Sequence, residues 1–145
     1  RRAWVEEQVR ARGLGSTVHL LGRYPPEAMP RFFALADALL VTLKKEPIFA
    51  LTIPAKVQSY LASGKPIIAS LDGEGARVVQ EAGAGLTGPA GDPKALADNV
   101  LAMYHLSESP RRAMGLRGRG YFEQHFEREI LLDRIEALMQ KLKGG

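Results

Sequence analysis

Pro66-Ile67-Ile68-Ala69-Ser70-Leu71-Asp72-Gly73-Glu74-Gly75 is the stretch on which the fold turns. An unbroken run of apolar and small residues follows the turn Gly64-Lys65-Pro66 and ends in an acidic, glycine-rich loop. A strand that is continuously apolar, with no polar alternation, is covered on both faces, the habit of a parallel sheet between helical layers. The loop opens a helix over Ala76 to Glu81, and the turn from Gly83 to Gly85 closes it. Strand, tight loop and helix together make half of a βαβ unit.

The same alternation continues outward. Upstream, Ala38 to Leu43 reads as a second strand, followed by a loop holding Glu46-Pro47 and a helix from Pro54 to Ser63. Downstream, a short extended piece ends near Gly88. Gly91-Asp92-Pro93 then starts a helix, with Asp92 as N-cap and Pro93 in the first turn. Helical stretches at 93–106, 110–124 and 128–142 close the chain. At its start, Arg1 to Arg12 reads as a helix with Trp4, Val5 and Val9 on one side, stopped at Gly13. Thr17 to Leu21 reads as a short buried strand ended by Gly22, and Pro25-Pro26 starts a helix that reaches Ala36. Trp4, Phe32, Phe33, Tyr60, Phe122 and Phe126 fall where helices face a sheet, so they are expected in the core. The expectation is one Rossmann-like α/β domain, a parallel sheet with helices on both faces, lacking its opening strand.

Composition narrows the function classes. A chain of 145 residues with 46% apolar and 25% charged residues has the balance of a folded domain, not of a disordered tail. With no cysteine there is no disulfide, thiolate nucleophile or cysteine-held metal. His19, His105 and His125 are too widely spread to suggest a metal site. A net charge of +4 is far from a nucleic-acid-binding signature, so no nucleic-acid partner is expected. The basic cluster Arg111, Arg112, Arg117 and Arg119 reads as a solvated helix face, with contact to an anionic membrane surface as the alternative. No apolar run approaches the roughly 18 to 20 residues of a membrane span. The chain opens on Arg1-Arg2 inside an amphipathic segment, which suggests that it begins within a larger protein.

In open parallel sheets, ligands bind outside the carboxyl ends of the strands. That rule selects Gly22-Arg23-Tyr24, the stretch from Leu43 to Thr52, the loop from Leu71 to Ala76, and the turn near Thr87-Gly88. Arg23 can stack on a base or pair with a phosphate, or simply be solvated. Lys56 falls in the first turn of a helix, where an ammonium and free amides together suit a diphosphate, with Thr52 as a further donor. Asp72 and Glu74 can hold sugar hydroxyls, while Gly73 and Gly75 let backbone amides approach phosphates. An ordinary acidic turn is the plain alternative.

The order of these segments resembles the C-terminal, nucleotide-sugar-binding domain of GT-B glycosyltransferases, family 4 (group 1), of the kind found in bacterial O-antigen and capsule synthesis. Val18-His19-Leu20-Leu21-Gly22-Arg23 resembles that family's "V-x-F-L-G" strand and the loop beside the nucleobase. Met29-Pro30 through Ala36-Asp37-Ala38 resembles its "Y-x-x-A-D" segment. Tyr60-Leu61-Ala62-Ser63-Gly64-Lys65-Pro66-Ile67-Ile68-Ala69-Ser70 is similar to "E-A-x-A-x-G-x-P-V-I-A-S". Gly83 to Leu86, Gly91-Asp92-Pro93 through Leu96, and Tyr121-Phe122 through His125-Phe126 resemble its closing strand, a helix start and a C-terminal helix region. The family's E-x7-E pair falls at Leu51 and Ser59, neither acidic, and its later glutamate falls at Arg77.

The resemblance implies a retaining transferase that moves a sugar from a nucleotide diphosphate donor, with a UDP-linked N-acetylated sugar as the expected one. The acceptor would be lipid-linked or a saccharide, in surface polysaccharide synthesis. It implies that residues 1–145 are the donor half and that 121–142 pack toward an N-terminal acceptor domain. Lys56 would face the diphosphate, and Glu46 would stand in for the missing acidic pair. Gly22 and Arg23 would border the base, and Thr52, Asp72, Gly73, Glu74, Gly75 and Ala76 the sugar and phosphates. No tightly held cofactor or metal is implied, and the chain alone is expected to be inactive. A cytoplasmic location follows, with peripheral contact to the inner membrane. Two other classes remain: a nucleotide-sugar epimerase on the same fold, and a non-enzymatic α/β regulatory module.

Overall fold

The computed structural model describes residues 1–144, without the side chains of Glu129 and Ile130. Three strands, β1 (Leu39–Thr42), β2 (Ile67–Ser70) and β3 (Gly85–Gly88), form a parallel sheet in the order β1-β2-β3. Parallel neighbours need crossovers, and these are helical. The chain passes from β1 to β2 through α3 (Pro47–Ala50) and α4 (Ala55–Ser63), and from β2 to β3 through α5 (Glu74–Ala82). Before the sheet come α1 (Arg2–Ala11) and α2 (Met29–Leu35), the latter entered through a 3₁₀ turn at Pro26–Ala28. After it come α6 (Pro93–His105), α7 (Glu108–His125) and α8 (Arg128–Gly144).

β2 is central, and all four of its residues are buried. On one face Ile67, Ala69 and Leu71 join Val41 of β1, Val57 and Leu61 of α4, and Val78 and Val79 of α5. Each such fully buried Val, Leu or Ile side chain stabilises the fold by about 1.5–3 kcal/mol. The other face is covered by α6, which packs on β2 and β3. At its N-terminus the Asp92 carboxylate accepts from the Ala95 amide at 3.0 Å, as the Asp92-Pro93 signal predicts.

The expectation of a strand covered on both faces fails at β1. Leu39 and Val41 are buried, whereas Leu40 is 48% exposed. The outer edge of β1 is partly satisfied from α4, whose Tyr60 hydroxyl donates to the Leu40 carbonyl at 3.3 Å. The buried strand expected at Thr17–Leu21 is also absent. The segment is exposed throughout, with Leu21 at 61%, and residues 19–24 make no backbone–backbone hydrogen bond among the described residues. An apolar run becomes a strand only beside another strand, and none pairs with it. Trp4, expected in the core, is 65% exposed on α1, whereas Tyr60, Phe122 and Phe126 do pack against the core.

The basic run on α7 does more than face solvent. The Arg117 side chain donates to the Gly83 carbonyl at 2.9 Å, and Arg119 to the Ala62 carbonyl at 2.7 Å. Those carbonyls lie at the carboxyl ends of α5 and α4, where unsatisfied oxygens carry the negative end of the helix dipole. Two arginines thus tie α7 to the ends of α4 and α5.

Candidate functional site

The carboxyl ends of β1 and β2 lead into the starts of α4 and α5, and glycines bring the two starts together. Gly73 adopts φ +72°, and a Cβ there would collide with the Ala50 carbonyl at the end of α3. Gly75 is buried, and a Cβ on it would lie 2.9 Å from Cδ of Pro54, the residue before α4. Only glycine permits both approaches. Neither α4 nor α5 has a side-chain cap: Pro54 precedes one and Gly73 the other. In α4 the Val57 amide turns back to the Pro54 carbonyl at 3.0 Å, but the amides of Ala55 and Lys56, and of Glu74, Gly75 and Ala76 in α5, have no hydrogen-bond partner among the described residues, which is the makings of an anion site.

Two clefts flank this junction. One, of about 300 Å³, is lined by Asp72, Gly73, Ala76, Gln80, Thr87 and Gly88, among others. The second, of about 870 Å³, runs between α2 and α4 with Met29, Phe33 and Tyr60 as apolar walls and Lys56 and Ser59 on its rim. Phe33 and Tyr60 meet edge to face, with centroids 5.4 Å apart. Burial pushes the Tyr60 hydroxyl above its ordinary pKa. The expected site residues are thus divided: Lys56 borders the α2–α4 groove, and Asp72, Gly73 and Ala76 border the cleft beside β3.

The remaining expected residues fall as follows. Thr52 is exposed between α3 and α4. Glu46 sits before α3, and its carboxylate makes no hydrogen bond or ion pair among the described residues. Gly22 and Arg23 lie on the exposed stretch before α2, where Tyr24 packs on Phe32 at 4.8 Å between centroids, and neither lines the two clefts. Asp72 braces the loop: one carboxylate oxygen accepts from the Ala90 amide at 3.1 Å, beside the buried Ser70 hydroxyl donating to the Pro89 carbonyl at 3.1 Å.

Glu74 is held by a residue that the motif reading did not place in the site. Arg77 donates to both Glu74 carboxylate oxygens, from Nε at 3.2 and 3.1 Å and from Nη2 at 2.9 Å. Its Nη1 donates to Glu81 at 2.8 Å, and the same Glu81 oxygen accepts the Tyr121 hydroxyl at 2.6 Å. The Arg77 hydrogen bonds hold Glu74 below its ordinary pKa, and the Tyr121 hydrogen bond, with Arg77 nearby, does the same for Glu81. Arg77 itself is raised, chiefly by Glu74. The spacings i, i+3 from Glu74 and i, i+4 to Glu81 were the available signal. No group of three or more metal-ligating side chains occurs among the described residues, nor any helix long and apolar enough to cross a membrane.

A parallel sheet with helical crossovers, and free helix starts at its carboxyl edge, define a Rossmann-like α/β domain. The chain belongs to the family described as glycosyl transferases group 1, whose model matches residues 1–105. It is 32% identical over 123 residues to the probable glycosyltransferase WbjE of Pseudomonas aeruginosa, an alignment covering 83% of this chain and 30% of that protein. Its fold is similar to that of a sucrose-phosphate synthase from Thermosynechococcus elongatus, with a TM-score of 0.82 at 24% identity. That likeness covers 99% of this chain and 34% of the synthase. The chain therefore spans about a third of the length of these relatives.

Proposed function

We propose that this chain is the donor-binding half of a retaining glycosyltransferase that uses a nucleotide diphosphate sugar. The observation that carries the reading is the pair of uncapped helix starts, α4 and α5, joined at Gly75–Pro54 and Gly73–Ala50. As the glycosidic bond breaks, negative charge grows on the leaving diphosphate. Fixed amides and the Lys56 ammonium meet that charge without reorganising. The apolar walls of the α2–α4 groove suit the flat face of a nucleobase, with Lys56 at its rim next to the diphosphate. The cleft beside β3, lined by Gly73 and Ala76, takes the sugar, with Glu74 and Gly75 at the adjoining start of α5 offering a carboxylate and backbone. Thr52 and Arg23 are secondary donors, and Glu46 supplies a carboxylate near the missing acidic pair.

A UDP-linked N-acetylated sugar is the proposed donor, and a lipid-linked or saccharide acceptor in surface polysaccharide synthesis the proposed recipient. An acceptor domain of the same polypeptide would pack against residues 121–142, and catalysis would need it. Work on a lipid-linked acceptor would take place at the cytoplasmic face of the membrane. The test is a titration of the isotope-labelled chain with UDP, GDP, ADP and UDP-N-acetylglucosamine, followed by amide NMR shifts. Shifts grouped at Lys56 and Asp72–Ala76, with UDP preferred, are expected. Silence toward all four nucleotides at millimolar concentration refutes the reading.

A further inference from the structure

We propose that Arg77 is a positioning residue of the donor site, which holds the Glu74 carboxylate for sugar hydroxyls and keeps it off the α5 amides. The inference rests on the donor-half reading and adds to it a residue where the family pattern has a glutamate. Glu74 is the first residue of α5, and its backbone is fixed by the Gly73 and Gly75 contacts. Its side chain has three free torsions, and every hydrogen bond it makes among the described residues goes to Arg77. A carboxylate at the first turn of an uncapped helix has an alternative, which is to fold back onto the free amides beside it. There it would occupy the donors an incoming diphosphate needs and repel the phosphates. The arginine fork draws it along the helix instead, leaving the amides open.

The fork is itself anchored. Its third nitrogen is taken by Glu81, whose oxygen also receives the Tyr121 hydroxyl, and Tyr121 packs on the core from α7 and stacks on His125 at 4.1 Å. An isolated exposed ion pair orders little, but a side-on guanidinium–carboxylate fork within a network fixes direction as well as distance. Lysine cannot reproduce it, having one nitrogen for two carboxylates. The chain Tyr121–Glu81–Arg77–Glu74 thus runs from the core to the first residue of α5, next to Gly73 in the lining of the cleft beside β3.

The test compares wild type, Arg77→Lys and Glu74→Gln for binding of UDP and of UDP-N-acetylglucosamine by calorimetry. The Glu74 carboxyl is titrated alongside by carbon-detected NMR. For Arg77→Lys we expect UDP-N-acetylglucosamine to bind about tenfold more weakly, the size of one charge-assisted hydrogen bond. UDP should weaken as well but by only about threefold, because a Glu74 freed from the fork can fold back onto the α5 amides, and Glu74 should titrate closer to the ordinary carboxylate range. Glu74→Gln should lose the same sugar-dependent increment and add nothing further when combined with Arg77→Lys. Equal weakening of both ligands, or no change in either with Glu74 titrating as in wild type, overturns the positioning role while leaving the donor site standing. If wild type binds neither ligand, the donor-half reading falls and this proposal falls with it.

Discussion

The Cα of Gly73 lies so close to the carbonyl of Ala50 that no side chain fits between them. This contact joins the end of α3 to the loop that starts α5, and with it the two stretches that follow β1 and β2. Gly73→Ala meets both obstacles at once, a backbone at φ +72° and a collision with main chain that cannot step aside. The expected loss is about 2–4 kcal/mol in chemical denaturation, summing left-handed strain and overpacking. Gly64 shares the φ of +72°, but a Cβ there would have nothing nearer than 4.0 Å. Gly64→Ala should therefore cost only the strain, about 1 kcal/mol. Equal losses would mean that the Ala50 contact is not the constraint.

The glycines of α7 divide in the same way. A Cβ on Gly115 would collide with the Gly64 carbonyl, one on Gly118 would press on Ala84 and Leu61 at 3.0 and 3.2 Å, and one on Gly120 meets nothing within 4 Å. Replacing a helical glycine by alanine gains about 1 kcal/mol of propensity. Overpacking at a close helix crossing costs about 1–3 kcal/mol or more. Gly120→Ala should raise the denaturation midpoint, Gly118→Ala should come out near neutral, and Gly115→Ala should lower it. If Gly115→Ala were as stable as Gly120→Ala, α4 and α7 would not be crossing on bare backbone.

β2 was legible to within a residue because a long-range fact, burial on both faces, leaves a local mark: an unbroken apolar run. The same mark misled at Val18–Leu21, since pairing is a property of two segments and only one is written there. It misled by half at β1, where Leu40 is exposed although the run is just as apolar. Trp4 shows a further limit, because an amphipathic helix declares an apolar face without declaring what covers it. At the site, Asp72–Ala76 was legible as a loop at a strand end. What sequence could not supply was the partner of each carboxylate. Asp72 is used internally on Ala90, and Glu74 is claimed by Arg77. The four-residue α3, too short to show a period, supplies the carbonyl against which Gly73 packs.

Glu74 and Glu81 should leave a signature in acid. Both are held below the ordinary carboxylate pKa, Glu74 first by its Arg77 hydrogen bonds and Glu81 first by the Tyr121 hydroxyl. A carboxyl whose folded pKa is depressed binds fewer protons folded than unfolded. Its contribution is present above the unfolded pKa and is lost as pH falls through the folded one. The urea midpoint should therefore hold level from pH 7 to about 5 and then fall through the acid range. In Arg77→Met the acid-dependent fall should be shallower, because Glu74 returns toward its ordinary value and Glu81 loses one of its two partners. Identical slopes for the two proteins would show that the fork does not govern these carboxyls.

Lys56 provides the sharpest separation of binding from stability. Its side chain is exposed in the first turn of α4 and makes no hydrogen bond or ion pair among the described residues, so removing it takes nothing from the fold. If the ammonium is there for the diphosphate, the free protein has left it uncommitted. Lys56→Ala should leave the thermal midpoint unchanged and weaken UDP about tenfold or more, as expected for loss of a charge-assisted contact. Uridine, which carries no phosphate, should bind the two proteins alike, since the apolar walls of the α2–α4 groove are intact. Lys56→Arg should recover part of the UDP affinity through charge alone. The salt dependence of UDP binding should also be shallower in Lys56→Ala, because one screened charge pair has gone. Were uridine and UDP weakened to the same extent, Lys56 would be shaping the groove instead of meeting the phosphates, and the diphosphate would have to rest on the α4 and α5 amides alone.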